Sequence, residues 1–278
     1  GCRELGVLPR VSVVQNRKFD LESLAPHFEG ADAAVNMVGI LNEPGRKGKG
    51  FRKAHVEMTQ TMLDACRQAD VRRFIQVSSL GAGQGTSHYL ASKGEAEDLV
   101  RSADDVDATI IRPSVIFGRG DSFFNRFAAL LKIAPALPLA CPEARMQPVW
   151  AGDVAELVAR VIDDPSASGR SLDAVGPAVY SLRELVEFAA KAAGLRRRVI
   201  GLPDALARLQ AALMDFVPGK PFSSDNYRSL QTPNTSDENG LLEYGIRPSS
   251  IESLVPGYLA QSRRQRRLDD CRRRIAPQ

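Results

Sequence analysis

The sequence predicts an α/β fold built on a doubly wound parallel sheet, and three observations carry that expectation. Apolar runs of strand length at residues 33–40, 73–79 and 108–111 alternate with longer helical patterns. The run AAVNMVGI at 33–40 is nearly continuous rather than alternating, as in a strand buried on both faces. Each run also ends in small or polar residues: Val38-Gly39, Ser78-Ser79 and Arg112-Pro113-Ser114. In a parallel sheet these ends share one edge, and open α/β folds bind their ligands at that edge.

Taken in order, residues 11–14 (VSVV) read as a short strand and 20–29 (DLESLAPHFE) as a short helix with an acidic first turn. A basic glycine-rich loop at 42–50 leads to a helix from 51 to about 69. The strand at 73–79 is followed by a small-residue loop and a helix to about 101, which carries Tyr89 and Lys93. Beyond the strand at 108–111 and Ile116 the pattern loosens. Residues 121–132 look helical, and 146–153 (MQPVWAGD) form a strand feeding a helix at 154–163, with Asp153 expected to cap it. Ser181 and Glu184 spell a capping box. Residues 196–200, a helical 203–216 and a turn-rich 218–239 complete the pattern. Residues 1–170 are expected to form the sheet domain, with 113–150 partly contributing to a small C-terminal α/β lobe drawn mainly from 171–278.

The chemistry concentrates at 73–93. Residues four apart on a helix are neighbours, with Cβ atoms about 5–6 Å apart, so Tyr89 and Lys93 can serve one site. A phenol with an ordinary pKa of about 10 is a poor acid at neutral pH. A nearby ammonium favours the phenolate, which would make Tyr89 a proton donor or acceptor for a carbonyl or alcohol. Ser78 or Ser79, at the preceding strand end, can hydrogen-bond the same oxygen. A Tyr-x-x-x-Lys spacing alone is a weak signal; directly after a strand ending in Ser-Ser it gains weight.

Composition excludes several classes. The 278 residues are 44% hydrophobic and 25% charged, as in ordinary globular chains. Cys2, Cys66, Cys141 and Cys271 are scattered, which argues against a disulfide framework or a zinc site and for a reducing, cytoplasmic setting. No apolar run reaches the ~20 residues of a membrane helix, and no signal peptide is visible. The net charge of +4 is concentrated in Arg263, Arg264, Arg266, Arg267, Arg272, Arg273 and Arg274. Such a run is a solvated helix face, or a contact for an acidic partner or the inner face of a membrane. Without interleaved aromatics it does not point to nucleic acid.

A dinucleotide fold normally opens with a glycine-rich turn that lets the pyrophosphate approach the backbone. GAGQG at 81–85 lacks the third glycine at the required spacing and follows the wrong strand, and GRKGKG at 45–50 is not a Walker loop. If 11–14 and 33–38 are strands three and four of a 3-2-1-4 order, the first β-α-β unit has no counterpart. With Gly1 in place of Met, the expectation is a chain that begins inside a longer protein; loss of the phosphate site is the alternative.

RFIQVSSLGA (73–82), YLASK (89–93), IIRPSVIFGRGDSFFNRF (110–127), MQPVWAGDVAE (146–156), SSDNYRSLQTPNT (223–235) and IESLVPGYL (251–259) together resemble one group of atypical short-chain dehydrogenase/reductases. These are the bacterial relatives of the Rossmann-type accessory subunit nine of the respiratory complex I alpha subcomplex, of epimerase/dehydratase ancestry. The resemblance implies a Rossmann-type fold holding a nicotinamide dinucleotide. In the family's mitochondrial member NADPH is held tightly in a largely structural role, and related proteins are linked to quinone metabolism. Carried over by position, Tyr89 and Lys93 would hold the nicotinamide ribose and Ser78 or Ser79 would face the substrate carbonyl. Val38 and Gly39 would line the adenosine side, and Pro113, Ser114, Val115 and Ile116 would border the nicotinamide. Arg17 stands where the family has an acidic residue, which favours a phosphorylated ribose and so NADP(H) over NAD(H). Three functions fit: an oxidoreductase with Tyr89 as proton donor, a non-catalytic NADPH-holding subunit or assembly factor of a respiratory or quinone-biosynthesis complex, and a sugar-nucleotide epimerase/dehydratase.

Overall fold

The computed structural model describes residues 8–16, 18–43, 45, 47–217 and 222–260, so Arg17 and the arginines beyond 260 lie outside the described residues. Four parallel strands make the sheet: β1 (Ala33–Asn36), β2 (Arg73–Val77), β3 (Asp107–Pro113) and β4 (Ser171–Ala174), side by side in that order. The strand β4 lies past residue 170, so the sheet draws its last strand from the C-terminal side of the expected boundary.

Successive side chains leave a strand on opposite faces, and the sheet uses both. Phe74 and Ile110 pack with Leu63, Cys66 and Val100, whereas Ile75 and Ile111 pack with Val154, Leu157 and Val161. The first face is covered by α1, which runs through Lys49–Arg52, a π-turn at Lys53–Glu57 and Met58–Gln68, and by α2 (His88–Arg101). After α3 (Phe124–Ile133), α4 (Ala151–Ile162) covers the second face. Helices on both faces make the sheet doubly wound, as the continuous apolar strands require. Each buried Phe, Ile or Leu contributes about 1.5–3 kcal/mol of transfer free energy.

The expected strand at 11–14 does not form. Val11, Val13 and Val14 are exposed, and the segment is extended without a ladder partner. An unpaired backbone is satisfied by water as well as by a strand, so β propensity alone does not order it. Among the described residues β1 is therefore an edge strand.

A second core of Phe117, Phe124, Leu131, Leu185, Ile251 and Val255 joins α3 to α5 (Leu182–Ala192) and to the C-terminal helix. Beside it, Ala136–Leu139 pairs in parallel with Arg198–Gly201. The α5 capping box forms as expected: Glu184 N–H donates to Ser181 Oγ, and the Glu184 carboxylate takes the Ser181 N–H at 2.7 Å. Asp153 does not cap α4. It is the third residue of the helix, within the first turn, and accepts from Ser249 N at 2.7 Å and Ser249 Oγ at 3.1 Å, tying down the chain ahead of Ile251–Leu259. Later come α6 (Asp204–Met214), α7 (Ser224–Ser229), α8 (Gly240–Glu243) and α9 (Ile251–Leu259), while ahead of β1 the expected helix at 20–29 forms as a short turn of α-helix, Leu21–Leu24, continued by a 3-10 turn, Ala25–His27. Among the described residues no helix is long and apolar enough to cross a membrane, and no cluster of His, Cys, Asp or Glu could hold a metal.

Candidate functional site

The ends of β1, β2 and β3 meet the first turn of α2. That turn is fixed twice over. Ser87 Oγ accepts the Leu90 N–H at 3.0 Å, and the Asp225 carboxylate of α7 accepts His88 N at 2.7 Å and Tyr89 N at 3.0 Å. An anion at a helix N-terminus satisfies free donors and complements the helix dipole. The GAGQG loop lets α2 approach. Gly81, Gly83 and Gly85 have φ of +75°, +76° and +70°, and a Cβ at Gly94 would lie 2.4 Å from Gly83 Cα. Here the glycines serve packing.

Lys93 points into the sheet edge. Its Nζ donates to Val77 O at 3.2 Å and approaches Val38 O at 3.5 Å, joining the ends of β2 and β1. Burial pulls the ammonium down to about pKa 8, with Glu97 opposing the shift. Glu97, one turn further along α2, is buried against Arg112 (2.5 and 2.9 Å) and Arg101 (2.6 Å). Burial raises its pKa, but the hydrogen bonds from Arg112 and Arg101 outweigh that and the net shift is downward.

His55, on the π-turn of α1, completes the buried set. Its Nε2 accepts Ile40 N–H at 3.1 Å, so the proton resides on Nδ1, which faces Ser92 Oγ at 2.8 Å; that hydroxyl donates in turn to Tyr89 O. Burial and then the charge of Lys93 hold the ring neutral, with a pKa of about 3. The Tyr89 ring meets His55 and Phe51 edge-on, with centroids 5.5 and 5.9 Å apart. These rings change the acidity expected for Tyr89. Its pKa is raised rather than lowered, because burial outweighs the opposing Ser79 hydroxyl. The Lys93 hydrogen bonds run to strand-end carbonyls instead of the phenol.

Ser78 and Ser79 are buried, and neither Oγ completes a hydrogen bond of full geometry. Buried hydroxyls without partners are costly unless something else satisfies them. Gly39 adds no side chain here: a Cβ would stand 3.5 Å from Lys93 Nζ and 3.9 Å from His55 Nε2. Val38, Gly39, Ser78, Ser79, Tyr89 and Lys93 therefore converge. Pro113, Ser114, Val115 and Ile116 follow at the end of β3, where the Ser114 hydroxyl is already engaged. It donates to Asn234 Oδ1 at 2.6 Å, and Val115 N donates to the same oxygen at 3.1 Å. Ile116 is exposed. The segment 223–236 thus straps the sheet edge, through Asp225 on α2, Asn226 on Leu41 O and Asn234 on the β3 end.

Sequence reasoning missed His55, Glu97, Asp225 and Asn234. A signal existed for the first: residues 51, 55, 59 and 63 share a helix face at i, i+4 spacing, and a His and a Thr on that stripe break its apolar pattern.

Residues 3–125 match the family model for NAD(P)H-binding proteins. The chain is 29% identical to the mitochondrial NADH dehydrogenase (ubiquinone) 1 alpha subcomplex subunit 9 of Mus musculus, over 90% of this chain and 67% of that protein. It is 31% identical to the ceramide reductase of Caulobacter vibrioides, over 67% of this chain and 58% of that protein. Among solved structures, a dTDP-glucose 4,6-dehydratase from Streptomyces venezuelae with bound NAD superposes with a TM-score of 0.72 at 20% identity, covering 96% and 83% of the two chains. Residues 3–125 thus carry an NAD(P)H-binding-type domain, and the fold is Rossmann-like, similar to that of the epimerase/dehydratase structures. Over most of its length the chain is similar to complex I subunit nine.

Proposed function

We propose that the sheet-edge cleft binds a nicotinamide dinucleotide and uses it to reduce or oxidise a carbonyl or alcohol, with Tyr89 exchanging the proton. The observation that carries this reading is the position of Lys93 and Tyr89 beside two buried serine hydroxyls that lack full partners. Their positions support the nucleoside parts of the cofactor, while no glycine-rich turn for its pyrophosphate lies among the described residues. Val38 and Gly39 would line its adenosine side, Tyr89 and Lys93 would hold the ribose next to the nicotinamide, and residues 113–116 would border the ring. When bound, the dinucleotide supplies or accepts hydride. Ser79, and Ser78 beside it, would donate a hydrogen bond to the substrate oxygen. Tyr89 O–H would deliver the proton, and Lys93, through its strand-end carbonyls, would hold the ribose and the phenol in register. A phenol kept protonated by burial suits the reductive direction, in which it acts as acid. The relative named as a ceramide reductase supports reduction as the chemistry.

Arg17 supports NADP(H) over NAD(H), since a guanidinium pairs with a ribose phosphate. The test is NADPH oxidation with aldehydes, ketones and quinones offered as substrates. Tyr89→Phe is expected to lower the rate by about 10²–10⁴-fold with little change in cofactor affinity; hydride transfer that persists unchanged would refute the role.

The subunit-nine relatives favour a second reading, in which the cofactor is held without turnover and the protein serves a respiratory or quinone-biosynthesis complex. That reading expects co-migration with a large assembly, weakened by removing the arginines beyond residue 260. A chain that migrates alone in lysate counts against it.

A further inference from the structure

Helix α6 is built inside out. Its buried residues are Ala207 and Ala211, on the side that packs against α7. The opposite side carries Leu206, Leu209 and Leu213, which are 50%, 55% and 61% exposed. At 100° per residue these three leucines fall within about 60° of one another and point away from the two alanines. A helix folded only for its own chain would turn the leucines in. The one acid within the helix, Asp204, lies at its start on the alanine side, where Arg208 and Tyr227 engage it.

The chain entering α6 supplies charge of one sign. Arg196, Arg197 and Arg198 are all exposed, and Arg197 Nε donates to Leu131 O at 3.0 Å, which ties this basic run to the end of α3. There Lys132 is exposed, and Ile133 is 86% exposed. Ile200, six residues before Leu206, is also exposed. An exposed leucine face, two exposed isoleucines and a run of cations thus lie on α6, on the strand leading into it and at the end of α3.

From this we infer that α6 and the preceding arginines form a docking surface for an anionic lipid bilayer, lying in the interface with the leucines immersed and the cations at the headgroups. The combination of an apolar helix face and basic residues ahead of it is what such surfaces need. A second copy of the chain fits less well. Three leucines on one short helix fall far below the ~20–30 residues a side of a stable protein interface. The arginines 263–274, which follow α9 in the sequence, would add to the same attraction; the test must separate them from α6.

The experiment is flotation of the full chain with two kinds of vesicle, phosphatidylcholine alone and phosphatidylcholine carrying phosphatidylglycerol. The wild type is expected to float with the anionic vesicles and stay behind with the neutral ones. The L209E/L213E variant, and separately R196E/R198E, should each lose at least about tenfold in bound fraction while keeping the wild-type circular dichroism and unfolding temperature. Three results would overturn the inference. The wild type floats with neither vesicle, or equally with both. L209E/L213E floats as well as the wild type, which would assign binding to the terminal arginines. Or the wild type is a dimer that L209E/L213E converts to monomer without any effect on flotation, which would give the face to a second copy.

Discussion

Helix α2 turns Ser92, Lys93 and Glu97 inward, whereas α6 turns Leu206, Leu209 and Leu213 outward. Both break the ordinary amphipathic rule, with opposite energetic consequences. A buried ion costs several kcal/mol of desolvation unless partners surround it. On α2 they do: Lys93 has two strand-end carbonyls, and Glu97 has two arginines. An exposed leucine costs far less and asks nothing of its neighbours. The inverted face of α2 is therefore held by the sheet edge, whereas that of α6 stays largely exposed among the described residues. Substitutions should divide accordingly, with large effects on stability at the first and almost none at the second.

The largest effect is expected from Glu97→Ala. It strips Arg112 and Lys93 of their buried carboxylate and should cost about 3–5 kcal/mol, read from urea unfolding. A loss below about 1 kcal/mol would mean that water reaches this group after all.

His55 comes next and carries a pH signature. Its ring stays neutral in the folded protein down to about pH 3 but takes up a proton in the unfolded chain below about 6.5. The unfolded state then binds more protons, so the stability this group contributes is full above pH 6.5 and declines as pH falls towards 3. The slope is about 1.4 kcal/mol per pH unit. His55→Asn removes that slope, and the stability gap between wild type and variant should close as pH is lowered from about 7 to about 5. A gap that stays constant would show that His55 is charged or solvated in the fold.

Asn234→Ala removes the acceptor shared by Ser114 Oγ and Val115 N and should cost about 1–2 kcal/mol. The smallest effect belongs to α6. Leu209→Glu should change unfolding free energy by no more than about 0.5 kcal/mol. A larger loss would show that the leucine face packs on the chain itself and would erase the contrast.

Much of the sheet and the core of the site could be read from the sequence. The strands at 33–36, 73–77 and 107–113 were marked by apolar runs that only a doubly covered sheet explains, and Tyr89 and Lys93 by a helix directly behind a polar strand end. The rest depends on distance along the chain. Asp225 caps a helix 136 residues earlier, and Asn234 pins a strand end 119 residues earlier. No local pattern encodes such pairings. The strand expected at 11–14 failed for the converse reason: local propensity was present and a neighbour was not. The acidity of Tyr89 differs from the expectation because spacing alone says that Lys93 is near, but not that its protons go to Val38 and Val77 or that burial raises the phenol's pKa.

The most direct test is a calorimetric titration of the wild-type chain and of Lys93→Met with NADPH and then NADH, with the unfolding temperature of each recorded. The wild type should bind NADPH, and NADH more weakly. The variant, still folded, should bind NADPH at least about tenfold more weakly, because the ammonium that would hold the ribose is gone. Wild-type chain that binds neither dinucleotide, or a folded variant that binds NADPH as well as the wild type, would contradict the assignment of the cofactor to this cleft.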